Sequence, residues 1–309
     1  MSQRVLGSVI IKLAGGIGNQ LFQTAFGLSV SKRFSVPAYI NTESYVNYEY
    51  FNAPEILKLN FDRSTLSECE QAFDTKTTYL LHERTITSID QLACLPSDCK
   101  TLILEGYWQR ESFIDPTVVD FIYSKLTNKY KDFFKDAGND QISVDASRIA
   151  VHIRRRDYAH MGIVKNEYYY ASLRLFCQVA DTRRISLYSD EPNASLHLLR
   201  KFGYTDIELV KSGDDFKDLY ALSRHRYIVM ANSTYSWWGG KFGEMQRAKF
   251  IIRPDPWLTI DTSINPCPDR WISVPNSVCS GTEFSASVSE RLYTSISETA
   301  NKGGYLSVG

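Results

Sequence analysis

The chain has 309 residues, of which 43% are apolar and 23% charged, proportions that are typical of a globular protein and exclude a disordered one. Lysine and arginine together number 35, as do aspartate and glutamate, so no net charge draws the protein to nucleic acid or to an anionic membrane. The opening segment lacks the apolar region of a signal peptide, and no stretch approaches the roughly 20 apolar residues of a spanning helix, so we expect a cytoplasmic protein.

The first half of the chain predicts a strand, a glycine-rich turn and a helix, with further strands after them. Strands are predicted at 8–14, 36–40 and 101–109, and helices at 21–34 and 118–134. Residues 41–100 show no regular pattern and are predicted to be irregular. The turn-rich segment "KDAGND" precedes a domain boundary that we expect at residue 146.

After this boundary, strands alternate with helices. Strands are predicted at 147–155, 184–190, 207–210, 226–234 and 249–254, and helices at 166–180, 194–203, 215–225 and 235–247. This alternation is typical of a parallel sheet that is covered on both faces. We therefore expect an α/β fold with two Rossmann-like domains, residues 1–146 and 147–280, facing across a cleft. Residues 281–309 would form a C-terminal amphipathic helix and tail.

The glycine-rich turn "GGIGNQ" follows the first predicted strand. Gly16 and Gly18 match the first two glycines of the G-x-G-x-x-G fingerprint, but Leu21 occupies the place of the third. A tight turn that needs a positive φ explains the glycines equally well. The amides of Asn19 and Gln20 favour a functional interpretation, because amides suit sugar hydroxyls.

Three consecutive arginines occur in "HIRRRDY", at the end of a predicted strand. A salt bridge between one arginine and Asp157 at the rim of the sheet is the simpler explanation, but it leaves positive charge unbalanced. Because the guanidinium fork binds phosphate oxygens well, we expect one arginine to bind a phosphate, one to pair with Asp157, and Arg156 to be exposed.

Hydroxyl and amide side chains follow another strand in "ANSTYSWW". Asn232, Ser233 and Thr234 are good N-cap residues, and the N-terminus of the helix they precede is also a site for phosphate. Both roles can hold at once. Trp237 and Trp238 are expected in the core.

Asp190 in "YSDEP" and Asp218 in "DFKDLY" lie near predicted element ends, where a capping or solvated role competes with binding a guanine edge. The chain has no D-x-D triplet, and its five histidines form no cluster in sequence, so we expect no metal site and no cofactor. Arginines and helix ends would then stabilise a departing diphosphate, which indicates a nucleotide-sugar transferase.

Five motifs, "GGIGNQLFQTAFG", "GYWQ", "HIRRRDY", "YSDEP" and "ANSTYSWW", resemble in order those of the α-1,2-fucosyltransferases of glycosyltransferase family 11. The resemblance covers residues 11 to about 257. H-x-R-R-x-D also occurs in α-1,6- and protein O-fucosyltransferases. The resemblance implies a glycosyltransferase B-type fold, GDP-β-L-fucose as donor, and metal-independent, inverting transfer to O2 of a terminal galactose on an oligosaccharide acceptor.

The resemblance also implies roles for individual residues. Arg154 would hold the donor phosphates and His152 would lie beside it, while Asn19 would contact the fucose. Ser233 and Thr234 would contact the pyrophosphate. Asp218 would bind the guanine edge. Arg156 departs from the bacterial motif, in which glycine is frequent at that position. Animal members carry a membrane anchor, whereas this chain resembles a bacterial enzyme of surface polysaccharide or lipopolysaccharide synthesis, with peripheral contact at the inner membrane as an alternative.

The catalytic base stays open at this stage, because an inverting displacement needs a group near the acceptor hydroxyl and several loops offer one. The candidates for the base or for acceptor contacts are Glu43, Glu105, Tyr107, Gln109, Asp157, Tyr158 and His160. An oxocarbenium-like path with little help from a base is also compatible. Two further alternatives are a fucosyltransferase of another linkage or acceptor and a catalytically inactive sugar-nucleotide-binding module.

Overall fold

The computed structural model describes residues 6–45, 54–61, 65–68, 74–134, 147–156, 162–246 and 250–276. The chain divides into two units, Met1–Asp136 and Ala137–Gly309. The boundary expected at residue 146 and the helix and tail expected at 281–309 both lie outside the described residues. They stay predictions.

The first unit contains a five-stranded parallel sheet in the order β3-β2-β1-β5-β4. Its strands are β1 (Ser8–Lys12), β2 (Ala38–Asn41), β3 (Leu66–Glu68), β4 (Thr78–His82) and β5 (Thr101–Glu105). Its helices are α1 (Ile17–Phe34) and α2 (Pro116–Tyr130). The central strand β1 packs closely under α1: a Cβ at Gly27 would lie only 2.2 Å from Cδ1 of Ile11. This packing places the loop between β1 and α1 at the carboxyl edge of the sheet.

The prediction that residues 41–100 are irregular was wrong, because β3 and β4 form both edges of this sheet. Short 3-10 helices accompany them at Glu43–Tyr45, Glu55–Leu59, Glu83–Thr85 and Ile89–Cys94. None of the five residues of β4 is buried, and Leu80 is 50% exposed. An edge strand of this kind has no alternation of apolar and polar residues for a sequence pattern to detect.

The second unit contains a six-stranded parallel sheet in the order β11-β10-β9-β6-β7-β8. Its strands are β6 (Ile149–Ile153), β7 (Ile185–Ser189), β8 (Ile207–Leu209), β9 (Tyr227–Val229), β10 (Phe250–Asp255) and β11 (Ile272–Pro275). Its helices are α3 (Asn166–Ala180), α4 (Pro192–Lys201), α5 (Asp215–Ser223) and α6 (Thr234–Met245). Counted from β6, this is the Rossmann order 3-2-1-4-5-6. The sequence did not predict β11.

The fold class expected from the sequence, α/β with a Rossmann-like parallel sheet in each domain, is confirmed. Trp237 and Trp238 of α6 are fully buried, as expected. Among the described residues, no helix combines the length and the apolar character that crossing a membrane requires.

Candidate functional site

Both sheets reverse their strand order beside their first strand, between β1 and β5 in the first unit and between β6 and β9 in the second. Ligands of parallel α/β sheets bind at such switch points, beyond the carboxyl ends of the strands. The motifs flank these two positions: "GGIGNQ" and "GYWQ" follow β1 and β5, and "HIRRRDY" and "ANSTYSWW" follow β6 and β9. Each unit therefore has a candidate ligand site formed by the motifs.

In the first unit, the loop after β1 has a shape that only glycine permits at one position. Gly15 has a φ of 75°, and a Cβ there would lie 2.6 Å from Nδ2 of Asn19. Gly16 precedes α1 in an extended conformation and Gly18 lies in its first turn, where it is buried. The Asn19 side chain thus covers the loop at the start of the helix.

Gln20 stabilises the same loop from the inside. Its side chain is fully buried; Nε2 donates to Gly15 O at 3.0 Å, and Oε1 accepts the N–H of Ile56 at 2.9 Å. The sequence suggested that this amide binds sugar hydroxyls. Its burial and its two backbone partners give it a structural role instead.

Asn19 and Gln109 join the two motifs of the first unit. Nε2 of Gln109 donates to Oδ1 of Asn19 at 3.1 Å, and both side chains are half-buried. Gln23, which is buried on α1, adds a second connection: it accepts the N–H of Ala14 and donates to Gly106 O, each at 3.0 Å. The loops after β1 and β5 are therefore fixed to each other.

The "GYWQ" loop is organised by Glu83, a residue that the sequence did not single out. The Glu83 carboxylate accepts the backbone N–H of Tyr107 at 2.7 Å and that of Gln109 at 3.3 Å. Trp108, between them, has a φ of 56° and is buried, stacked 4.2 Å from the ring of Phe26. Backbone strain at a buried non-glycine residue is typical of a functional loop.

The candidate bases of the first unit differ in their surroundings. Glu105 forms ion pairs with Lys12 and with Nδ1 of His82, and the hydrogen bond from Lys12 lowers the pKa of the Glu105 carboxyl. A carboxylate with a lowered pKa is a weaker proton acceptor. Glu43 is exposed in its 3-10 helix, and Tyr107 is 44% exposed.

In the second unit, Asp190 provides the counter-charge for the arginines. Its Oδ2 lies 3.2 Å from Nε of Arg154. The same carboxylate accepts the backbone N–H of Arg155 at 3.1 Å and that of Arg156 at 3.1 Å. Asp190, for which the sequence suggested direct donor contact, therefore holds the arginine loop in place. Asp157, the partner expected from the sequence, lies outside the described residues, as do Tyr158 and His160.

The three arginines have different environments. Arg155 donates to Val164 O at 3.2 Å and to Oδ1 of Asn166 at 2.5 Å, so it anchors the loop to the start of α3. Arg156 is exposed, as expected. Arg154 keeps 27% of its side chain exposed while Asp190 orients it, which suits a side chain that also meets a ligand.

His152 is buried at the end of β6 and is neutral. Burial, with a smaller contribution from the charge of Arg154, lowers the pKa of His152 to about 3. Its Nδ1 forms a hydrogen bond with Oγ of Ser236, which also accepts the N–H of Ala231 at 3.1 Å. Ser236 therefore connects His152 to the loop that follows β9.

The N-terminus of α6 lies beside this histidine, through Ser236 in its first turn. Ser233 is the N-cap residue, yet its side chain makes no capping hydrogen bond. Ser233 and Thr234 are both buried. Asn232, also fully buried, donates through Nδ2 to Gly162 O at 2.7 Å and so fixes the loop before the helix. A helix N-terminus whose cap side chain makes no capping hydrogen bond suits an anion.

Asp218 lies on α5, near the same edge. Its carboxylate accepts the N–H of Ser212 at 2.9 Å, and its charge contributes, after burial, to raising the pKa of Tyr235. The Tyr235 ring lies 5.2 Å from the ring of His152, and its hydroxyl donates to Asp215 O at 3.0 Å. Asp218, Tyr235 and His152 thus belong to one neighbourhood, and the sequence missed Tyr235.

No group of three or more His, Cys, Asp or Glu side chains in the described part of the chain is placed to hold a metal ion. The polar groups at the two switch points are amides, hydroxyls, arginines, a neutral imidazole and the carboxylates of Glu105 and Asp190, which pair with Lys12 and Arg154. Such a set binds sugar hydroxyls and phosphate oxygens by hydrogen bonds and positive charge.

Comparisons with known proteins give relatives of one class. No family model matches the chain. An alpha-1,2-colitosyltransferase from Escherichia coli is 23% identical over 299 residues, which cover 86% of this chain and 98% of the relative. The O-antigen biosynthesis glycosyltransferase WbnK, also from Escherichia coli, is 23% identical over 304 residues, covering 85% of this chain and 99% of the relative. Both relatives support a glycosyltransferase.

Among solved structures, the fucosyltransferase NodZ from Bradyrhizobium is similar to this chain with a TM-score of 0.48 and 12% identity. The similarity covers 76% of this chain and 91% of that one.

Proposed function

We propose that the protein is an inverting glycosyltransferase that transfers L-fucose, or a closely related deoxy sugar, from its GDP-linked form to the 2-hydroxyl of a terminal β-galactoside. The alpha-1,2-colitosyltransferase supports this class and linkage across most of the chain. Because that relative transfers colitose, GDP-colitose is the second donor to test. The O-antigen glycosyltransferase supports a role in surface polysaccharide synthesis.

One observation carries the proposal: Arg154, held by Asp190, and the neutral His152 lie at a topological switch point beside the N-terminus of α6. A departing diphosphate needs positive charge and hydrogen-bond donors aimed at its oxygens. The guanidinium of Arg154 and the N–H groups at the start of α6 supply both, with His152, Ser233 and Thr234 at the same helix end. No metal is needed in this arrangement.

In the proposed reaction, the bond between C1 of the sugar and the β-phosphate oxygen breaks, and its electron pair leaves with GDP. The 2-oxygen of the galactoside forms the new bond to C1 from the opposite face, which converts the β-linked donor into an α-linked product. The hydroxyl proton passes to a base or to water. Arg154 acts on the leaving group, where negative charge develops.

At the nucleoside end, Asp218 would accept hydrogen bonds from the guanine edge. Its carboxylate already accepts the N–H of Ser212, which fixes its orientation, and Tyr235 lies in its neighbourhood. A carboxylate has enough lone pairs to serve both partners.

At the sugar end, the amides of Asn19 and Gln109 would contact hydroxyls of the donor or acceptor. They are bonded to each other at 3.1 Å and stay half-buried, as expected of side chains that are pre-organised for a polar ligand. Asp157 stays the first candidate for the base. The lowered pKa of Glu105 makes that residue a weaker candidate.

The test is transfer by the full chain from GDP-fucose and from GDP-colitose to lactose in the presence of EDTA, with the product linkage determined by NMR. We expect an α-1,2-linked product with at least one donor, and loss of turnover in Arg154→Ala and Arg154→Lys, because lysine lacks the guanidinium fork. Arg200→Ala on the exposed face of α4 is the control and should match the wild type. Another linkage would contradict the proposed specificity, whereas donor binding without release of GDP would indicate an inactive binding module.

A further inference from the structure

Three polar side chains at the carboxyl edge of the second sheet are buried and incompletely hydrogen-bonded. Asn232 and Asn276 follow β9 and β11, and Arg253 is the fourth of six residues in β10, which lies between these two strands. Their exposed fractions are 0%, 7% and 0%. Oδ1 of Asn232, Nε and Nη1 of Arg253 and Nδ2 of Asn276 have no hydrogen-bond partner among the described residues.

Of the three, Arg253 is the most unusual, because a buried charge without a good partner is costly. Its nearest carboxylate oxygen, Oδ1 of Asp255, lies 3.7 Å from Nη1, too far for a hydrogen bond. Asp255 is 53% exposed and already accepts the hydroxyl of Ser273 at 2.7 Å. The two asparagines, by contrast, each use their other amide atom to hold the loop before α3.

The position of Arg253 on its strand directs its side chain toward α6. Ile252 belongs to the core that the sheet shares with α3, and Ile251 lies under Gly240 of α6, since a Cβ there would be 3.3 Å from its Cγ2. Side chains two apart on a strand share a face, so Arg253 leaves β10 on the same side as Ile251. Arg253 is closer to the carboxyl edge than Ile251, on the face of the sheet that α6 covers.

Arg253 and Arg154 also flank the same loop. β9, whose following loop starts α6, lies between β6 and β10 in the sheet. Arg154 directly follows β6, and Arg253 lies in β10, two residues before its end. Strands two positions apart are separated by about 10 Å, which guanidinium groups can span around one polyanion.

We propose that Arg253 binds phosphate oxygens of the nucleoside diphosphate at the N-terminus of α6, opposite Arg154. The inference rests on the proposed function and adds a residue that no motif contains. Bound phosphate would lie against the guanidinium of Arg253, whose Nε and Nη1 lack a partner within the described part of the chain. Two arginines would balance more of the diphosphate charge than one.

The test is calorimetric titration of the full-length protein with GDP, with inorganic pyrophosphate and with guanosine. We expect Arg253→Met to weaken GDP and pyrophosphate binding by about tenfold or more, which is about 1.4 kcal/mol, and to leave guanosine binding unchanged. Arg270→Met is the matched control, because Arg270 pairs with Glu244. This variant should bind all three ligands as the wild type does.

Thermal unfolding without ligand distinguishes a ligand-binding role of Arg253 from a role in stabilising the fold. Removing an unpaired buried charge should leave Arg253→Met at least as stable as Arg270→Met, whereas a structural arginine would lower its melting temperature. Arg253→Lys, which keeps the charge, should fold and still lose GDP affinity because the fork is lost. GDP binding by both Arg253 variants equal to the wild type would overturn the inference. Wild-type protein that binds pyrophosphate but not GDP would instead contradict the proposed function.

Discussion

The Asp190 carboxylate and the Arg154 guanidinium meet across two neighbouring parallel strands, with Oδ2 3.2 Å from Nε. The same carboxylate accepts the backbone N–H groups of Arg155 and Arg156, so one aspartate fixes both the course of the loop and the direction of its first arginine. The Asp190 side chain is only 15% exposed. Loss of the Asp190 charge should therefore disturb the orientation of the Arg154 guanidinium and the loop that carries it.

Asp190→Asn should lower turnover through Arg154. The amide keeps one acceptor but loses the negative charge that orients the guanidinium, and hydrogen bonds to charged groups contribute about 1.5–3 kcal/mol, or roughly 10–100-fold in kcat/KM. Steady-state kinetics should show the loss mainly in kcat, with partial recovery in Asp190→Glu. Asp206→Asn is the control, because Asp206 pairs with Arg148 and Arg184 just before β8, at the amino edge of the sheet. Unchanged kinetics in Asp190→Asn would contradict the positioning role.

His152 should make the protein less stable as the pH falls below neutrality. Its pKa of about 3 lies below the value near 6.5 of the unfolded chain, so the stability it contributes is complete above pH 6.5 and is lost as the pH falls toward 3. The loss approaches about 1.4 kcal/mol per pH unit within that window. In His152→Gln this dependence is absent, so the difference in melting temperature between wild type and variant should shrink from pH 7 to about pH 4. A constant difference would show that His152 is charged or exposed in the folded protein.

Asn19 and Gln109 should act as a coupled pair in catalysis. Because their amides are bonded to each other at 3.1 Å, removing either one also disturbs the other. Asn19→Ala, Gln109→Ala and the double variant form a cycle in which we expect a coupling of about 0.5–1.5 kcal/mol in kcat/KM. Additive effects would indicate that the two amides contact the substrate independently or not at all.

Much of the fold could be predicted from the sequence, because the central strands are buried on both faces and read as apolar runs. β1, β5, β6, β7, β9 and β10 were predicted in this way, and the shorter β2 and β8 were predicted as well. The strands that the sequence missed, β3, β4 and β11, lie at sheet edges, have three to five residues, and are partly exposed. Periodicity gives a weak signal for such strands, and of the four edge strands only β8 was predicted.

The candidate site was predicted to the level of motifs, but not to the level of partners. Glycines, arginines and hydroxyls at strand ends are visible in the sequence, whereas pairing in space is not. The structure pairs Arg154 with Asp190 from the next strand, a partner that the sequence did not suggest, whereas the pairing expected with Asp157 lies outside the described residues. Glu83 and Arg253 were missed for the same reason: each lies outside the motifs, and only its environment in the structure marks it.

Gly106→Ala should destabilise the first unit and abolish activity together. Gly106 has a φ of 147°, a conformation that is essentially restricted to glycine, and a Cβ there would lie 2.4 Å from Cβ of Glu83. Strain and overlap together should cost about 3 kcal/mol or more and displace the loop that carries Gln109.

Gly203→Ala is the matched control. Gly203 lies at the end of α4 with a φ of 85°, and the atom nearest to an added Cβ would be Nη2 of Arg183, at 3.7 Å. This substitution should therefore cost about 1 kcal/mol of stability and keep activity. Melting temperatures and transfer rates measure both effects. Equal losses of stability in the two variants would mean that Glu83 yields to the added methyl group, so that the loop is not held by close contact.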